Sequence, residues 1–118
     1  MLRTIRLELA RTKDFPEGSA AHGYEFVAPL DAEGRIDAEA YRRERAGCVV
    51  RRFWRGDADE VGHLVPTRRQ TWAFSYGPGE EDDEPFHHLE THRLMVGEYV
   101  SIREHDGETR TFRVVSVR

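Results

Sequence analysis

Three histidines and a glutamate stand close together between positions 86 and 92, and they are the residues of this chain best suited to metal chemistry. Side chains of a β-strand alternate between its two faces, so a strand here would place His88, Glu90 and His92 on one face. Imidazole nitrogens and carboxylate oxygens are ligands of zinc, iron and manganese. The spacing therefore predicts a site for a divalent transition metal on this strand face.

The same spacing also fits an ordinary polar strand face. The order of the residues differs from the helical His-Glu-x-x-His zinc motif, and a complete site would need a further ligand from His63 or His87. Apolar residues fall on both faces of the strand, with Phe86 on the face of His88 and Leu89 on the other. The pattern therefore leaves open which face of this strand is buried.

Arginines in the centre of the chain, with aromatic residues among them, form a second candidate site. Guanidinium groups make bidentate contacts to phosphate and aromatic rings stack on bases, a mixture typical of proteins that bind anions or single-stranded nucleic acid. The predicted residues of this site are Arg51, Arg52, Trp54, Arg55, Arg68 and Arg69. The alternative is a solvated surface whose arginines pair with acids, and the net charge of -4 favours it over a nucleic-acid-binding surface.

No serine or cysteine has the sequence context of a catalytic nucleophile. The serines lack the Gly-x-Ser-x-Gly elbow, and Cys48 stands at the start of a predicted strand, where a buried structural thiol is usual. We therefore expect a non-enzymatic binding module whose partner is a protein or an anionic ligand. A metal-binding protein or metal-dependent enzyme is the first alternative, and an RNA- or DNA-binding protein is the second.

The length and composition indicate one small domain. The chain has 118 residues. No apolar run approaches the roughly 20 residues needed to cross a membrane. Its first residues alternate charged and aliphatic side chains, unlike a signal peptide, and it has a single cysteine. These features favour a cytoplasmic protein that does not associate with membranes. Segment 77–85 is acidic and bounded by glycine and proline, and it predicts a mobile surface loop.

Alternation of apolar and polar residues predicts a fold that is mainly β, with one short helix. The helix is predicted over 36–46, with Asp37 as its N-cap and a left-handed Gly47 at its end. The strands before the final hairpin are predicted over 2–11, 23–30, 48–55, 63–66, 69–76 and 86–94. Many short strands favour a small antiparallel, partly open barrel or a strongly bent sheet, because both leave few strand edges exposed.

The end of the chain predicts a β-hairpin with a three-residue turn. A turn made of His105, Asp106 and a left-handed Gly107 would pair Val100 with Phe112, whereas a two-residue turn would mix apolar with polar partners. The three-residue turn gathers four apolar residues on one face: Val100, Ile102, Phe112 and Val114.

Two resemblances rest on these segments. The closing hairpin, Val96–Ile102 and Phe112–Val117 around the Asp-Gly turn, resembles the one in SH3-like, PUA-like and OB-type barrels, a likeness that carries no function. Over most of its length the chain resembles a family of small uncharacterised proteobacterial proteins with no assigned activity. That resemblance rests on Ala28–Asp37, Gly62–Val65 and Gly97–Glu104, and it implies no catalytic residues.

Overall fold

The computed structural model describes residues 2–68, 71–77, 83–87 and 93–118. Within these ranges eight antiparallel strands follow one another around a closed barrel, and the last strand pairs with the first. The strands are β1 (Leu2–Leu9), β2 (Ser19–Pro29), β3 (Val49–Trp54), β4 (Glu60–Pro66), β5 (Trp72–Ser75), β6 (Glu84–His87), β7 (Tyr99–Arg103) and β8 (Thr109–Val117). The prediction of a mainly β, antiparallel barrel is confirmed, and the sheet is closed rather than partly open.

Alternation along the strands separates the barrel interior from its surface. A barrel of this size encloses a space just wide enough for side chains to fill. Phe74 lies in the middle of this core, with its ring centroid 4.7 to 5.0 Å from those of Tyr24, Phe26 and Phe86. The inward residues of β1 are those that the alternation predicts: Ile5, Leu7 and Leu9.

The short helix, α1 (Ala38–Glu44), begins at its predicted cap and packs against the barrel wall. The Asp37 carboxylate accepts hydrogen bonds from two backbone N–H groups of the first turn, each at 3.1 Å. Tyr41 is buried, and its hydroxyl donates to the backbone carbonyl of Leu64 at 2.6 Å. The prediction that Gly47 is left-handed is wrong, because the chain leaves α1 through a 3₁₀ turn.

Neither α1 nor any other helix in the described ranges is long and apolar enough to cross a membrane.

The predicted register of the last hairpin is confirmed. Val100 pairs with Phe112, and Gly107 has a φ of +88°. The ladder continues to the turn, where the Glu104 N–H donates to the Glu108 carbonyl at 2.8 Å. Because inward residues alternate from Val100 onward, this register places Glu104 inside the barrel.

Most of the predicted acidic loop, 77–85, lies outside the described residues. Its last two residues, Glu84 and Pro85, belong to β6. Glu84 lies opposite Phe74 and is fully buried on the inward face. One carboxylate of the acidic run is therefore part of the barrel interior.

Candidate functional site

The barrel interior changes from apolar to polar toward one end. Tyr24 on β2 lies opposite Arg52 on β3, and Arg52 lies opposite Glu60 on β4. From the far wall, Glu84 at the start of β6 and Glu104 just after β7 reach the Tyr24 hydroxyl. We define the interior polar cluster as Tyr24, Arg52, Tyr76, Glu84, Glu104 and Arg110.

Glu104 is the charged centre of this cluster. Arg52 Nε and Nη2 each lie 3.1 Å from its Oε2 atom, and Arg110 Nη1 lies 2.8 Å from its Oε1 atom. The Tyr24 hydroxyl is also 2.5 Å from Oε2. A buried carboxylate is costly unless it is paired and hydrogen-bonded. Two guanidinium groups and a phenol meet that requirement for Glu104.

Glu84 has neutral hydrogen-bond partners among the described residues. The hydroxyls of Tyr76 and Tyr24 lie 2.7 and 3.0 Å from its Oε1 atom, and the His105 backbone N–H donates to Oε2 at 3.0 Å. The nearest guanidinium nitrogen of a described residue, Arg52 Nε, is 3.8 Å away from Oε2. Burial raises the pKa of Glu84, and the hydrogen bonds that it accepts offset this effect only in part.

An open cavity of about 390 Å³ lies over the interior polar cluster at the end of the barrel. The residues that line this cavity, which we call the barrel mouth, are Arg52, Trp54, Asp57, Ala58, Glu60, His105, Asp106 and Arg110. Arg52 belongs to its floor, because its side chain is only 9% exposed. Glu60 and His105 stand at the rim, with side chains 41% and 32% exposed. The mouths of β-barrels are preferred places for small-molecule sites.

The rim and wall of the barrel mouth are held by further polar contacts. His105 Nε2 lies 3.0 Å from Glu60 Oε2. Burial lowers the pKa of His105, but its hydrogen bond to Glu60 and the nearby acidic groups outweigh this effect, so the pKa is raised overall. The guanidinium carbons of Arg52 and Arg110 lie 4.7 and 5.3 Å from the ring centroid of Trp54. These contacts fix the directions of side chains that would meet a ligand.

The structure divides the predicted arginine site between the two faces of β3. Arg52 and Trp54 point into the barrel mouth. Arg51 points outward, where its side chain is 42% exposed and pairs with Asp59 at 3.0 Å. Neighbouring residues of a strand face opposite ways, so these two arginines cannot share one binding surface.

Two other predicted arginines, Arg55 and Arg68, do not line the barrel mouth. Arg55 is exposed in the turn after β3, and Arg68 is exposed in the turn after β4. Arg69 lies outside the described residues. Of the five predicted residues that the structure describes, Arg52 and Trp54 are the two that line the cavity.

The predicted metal ligands His88, Glu90 and His92 lie outside the described residues, so the metal site stays a prediction. His63, which would supply a further ligand, is exposed on β4. Within the part of the chain that the structure describes, no three His, Cys, Asp or Glu side chains are arranged to hold a metal ion. The carboxylates of the barrel mouth are therefore not a metal site by themselves.

Sequence reasoning missed the two buried glutamates. The predicted register of the final hairpin contained a signal for Glu104, because inward positions 100 and 102 lead to 104. Glu84 carried no comparable signal, since it follows a run of acidic residues that has the composition of a solvated loop. Its burial depends on the pairing of β6 with β5, which local sequence does not specify.

Comparisons with protein-family models, with curated proteins and with solved structures found no match to this chain. Small closed barrels serve many unrelated functions, so the fold alone assigns none. The function must be inferred from the groups that the barrel mouth presents.

Proposed function

We propose that this chain is a small binding module that takes a small organic cation, such as a primary ammonium or guanidinium compound, in the barrel mouth. The charge balance of the mouth is the observation that carries this proposal. Three carboxylates and two guanidinium groups line the mouth, without counting the titratable His105, and the carboxylate of Glu104 lies buried beneath them. The lining carboxylates are those of Asp57, Glu60 and Asp106, and the guanidinium groups are those of Arg52 and Arg110, which both bind Glu104.

The guanidinium groups of the mouth are already engaged. Arg52 and Arg110 both bind Glu104, and Arg110 also contacts Asp106 at 3.0 Å. An anionic ligand would have to compete with these carboxylates. Asp57, in contrast, makes no ion pair or side-chain hydrogen bond with a described residue. The acceptor that stands open at the mouth is therefore a carboxylate, which suits a cation.

Binding suits the site better than covalent catalysis. The thiol of Cys48 is fully buried, and burial raises its pKa, so it remains protonated and unreactive. The polar groups of the interior polar cluster hold one another in place before any ligand arrives. A preorganised network of this kind lowers the entropic cost of binding.

Two-dimensional NMR titration of the labelled protein tests the proposal. The probes are putrescine and guanidinium as cations, and inorganic phosphate and a mononucleotide as anions, each at millimolar concentration. We expect the cations to shift the backbone amides around Glu60 and His105, and the anions to leave them unchanged. No shift at the barrel mouth with any probe would refute the site. A shift with the anions alone would refute the cation class and favour the anionic ligand expected from sequence.

Two neighbouring acids provide a matched pair of variants. Glu60→Gln removes a carboxylate from the rim, whereas Asp59→Asn removes one from the outer surface, where Asp59 pairs with Arg51. We expect Glu60→Gln to raise the dissociation constant for putrescine roughly two- to five-fold. This change corresponds to the free energy of one solvent-exposed ion pair. Asp59→Asn should leave the affinity unchanged. Equal effects of the two substitutions would indicate nonspecific attraction to an acidic protein.

A nucleic-acid interface is less well supported. The predicted arginines are divided between the mouth and the outer surface, and Arg51 is paired with Asp59. Nucleic-acid binding depends on several cations that contact successive phosphates, and its affinity falls steeply with salt. A filter-binding series with single-stranded RNA at increasing salt would separate this alternative from cation binding.

A further inference from the structure

The hydroxyl of Tyr24 lies between two buried carboxyl groups. It is 2.5 Å from Glu104 Oε2 and 3.0 Å from Glu84 Oε1. A phenol has one hydrogen, so it can donate along only one of these two contacts. The other contact would bring two oxygen atoms together without a hydrogen unless the carboxyl group supplies one. One of the two glutamates must therefore be the donor.

The surroundings decide which glutamate carries this hydrogen. Glu104 contacts Arg52 at 3.1 Å and Arg110 at 2.8 Å, so two guanidinium groups already donate to its oxygen atoms. Among the residues that the structure describes, no guanidinium nitrogen lies within hydrogen-bond distance of Glu84, since Arg52 Nε is 3.8 Å away. Tyr24 then donates to Glu104, and Glu84 donates to the Tyr24 oxygen while it accepts from Tyr76 at 2.7 Å.

The other charged and titratable groups around Glu84 do not reverse this assignment. His105 donates its backbone N–H to Oε2, while its ring nitrogen Nε2 is 3.9 Å from that atom and bonds to Glu60 instead. The groups that face Glu84 from the elements packed around it are Tyr24 of β2, Arg52 of β3, Tyr76 beside β5, and Glu104 and His105 of the β7–β8 turn. Glu60 of β4 pairs with Arg52, and Arg110 of β8 pairs with Glu104.

We propose that Glu84 is a proton-binding site that is occupied at neutral pH, and that a cation bound in the barrel mouth displaces this proton. The site is neutral when the proton is bound and negative when the proton has left. A positive ligand favours the negative form, so the ligand and the proton compete. The raised pKa of Glu84, caused first by burial, agrees with this assignment. The competition with a ligand rests on the proposed function, whereas the protonation of Glu84 does not.

The sign of the pH dependence follows from the raised pKa. Between the ordinary pKa of glutamate and the raised value in the folded protein, the folded state binds more protons than the unfolded state. Stability therefore falls as the pH rises through this interval, and the loss is complete above the raised pKa. A glutamate whose pKa was lowered by a cation would have the opposite dependence.

The first experiment compares Glu84→Gln with Glu104→Gln, without a ligand. A glutamine at position 84 imitates the protonated acid, because its amide can donate to the Tyr24 oxygen and accept from the His105 N–H. We expect the urea midpoint of Glu84→Gln to vary less with pH and to exceed that of the wild type at weakly alkaline pH. Glu104→Gln should lower the midpoint throughout, because it leaves Arg52 and Arg110 without their shared carboxylate.

Carbon-13 NMR of the glutamate carboxyl groups gives an independent readout that does not depend on how well a variant folds. The carboxyl carbon of Glu84 should titrate above the ordinary glutamate range in the wild type. Titration within the ordinary range, or a Glu84→Gln midpoint below that of the wild type at alkaline pH, would overturn the proton assignment.

Calorimetry then tests the competition between the proton and the ligand. Putrescine is titrated at neutral pH in two buffers that differ in ionisation enthalpy, which reports the protons released. We expect release from the wild type and a smaller release from Glu84→Gln. Binding with equal proton release in both proteins would overturn the coupling but not the binding. Absence of any binding would overturn the proposed function, while the NMR titration would still decide the state of Glu84.

Discussion

Replacement of Arg52 by methionine should destabilise the barrel far more than the same replacement of Arg51, its neighbour on β3. The two residues have the same side chain and the same strand but opposite faces. The Arg52 side chain is 9% exposed and makes two 3.1 Å contacts to Glu104. The Arg51 side chain is 42% exposed and pairs with Asp59 at 3.0 Å. The comparison therefore isolates the effect of burial on an ion pair.

The expected magnitudes follow from these environments. Removal of one partner from a buried ion pair costs about 3–5 kcal/mol, because the other charge is left in the interior. Arg110 still contacts Glu104 at 2.8 Å and neutralises part of that charge, so we expect the lower end, about 3 kcal/mol, for Arg52→Met. Exposed pairs are worth about 0.2–1 kcal/mol, which sets the expectation for Arg51→Met. The two variants should differ by about 2 kcal/mol or more.

Urea unfolding followed by tryptophan fluorescence measures both variants. The double variant Arg52→Met/Glu104→Met should lose less free energy of unfolding than the sum of the two single variants, because it leaves no unpaired carboxylate at position 104. Similar losses for Arg52→Met and Arg51→Met would refute the reasoning. That result would mean that water reaches the interior polar cluster and screens it as it screens the surface.

Three further predictions concern other parts of the chain. If His88, Glu90 and His92 bind a metal, elemental analysis of tag-free protein should find a divalent metal that is lost in the His88→Ala/His92→Ala variant. Absence of metal from the wild type would refute that hypothesis. Gly23→Ala should cost about 2–3 kcal/mol by overpacking, because its new Cβ would lie 2.0 Å from a β1 carbonyl oxygen. Gly77→Ala, whose new Cβ would have no atom of a described residue within 4 Å, should stay within about 0.5 kcal/mol of the wild type in the same urea assay. Cys48 should react with a thiol reagent at the rate of protein opening, since the side chain is fully buried; fast reaction in native buffer would contradict this.

The features that were predictable from the sequence are those set by local chemistry. Alternation in β1, the Asp37 cap of α1 and the three-residue turn with Gly107 each depend on residues within one or two turns of chain. The hairpin register was predictable because one alternative buries four apolar side chains and the other does not. The end of α1 at Gly47 was mispredicted, since the chain continues into a 3₁₀ turn.

The candidate site was predictable only in part. Arg52 and Trp54 were singled out by residue type, but they were grouped with Arg51, which faces outward. Alternation within β3 would have separated these neighbours. It would not have shown which face is inward, because both faces of this strand carry an arginine and an aromatic residue.

The sequence by itself determined the alternation of β1, the helix cap and the closing hairpin, because each is fixed by periodicity or turn chemistry over a few residues. Only the tertiary structure decided that Glu84 and Glu104 contact Tyr24. These two glutamates lie 60 and 80 residues beyond Tyr24 in the chain. Their meeting depends on closure of the barrel and on the pairing of β6 with both neighbours. Closure turns acids that would be solvated in an open chain into buried groups, and burial makes each of them depend on hydrogen-bond or ion-pair partners from other strands.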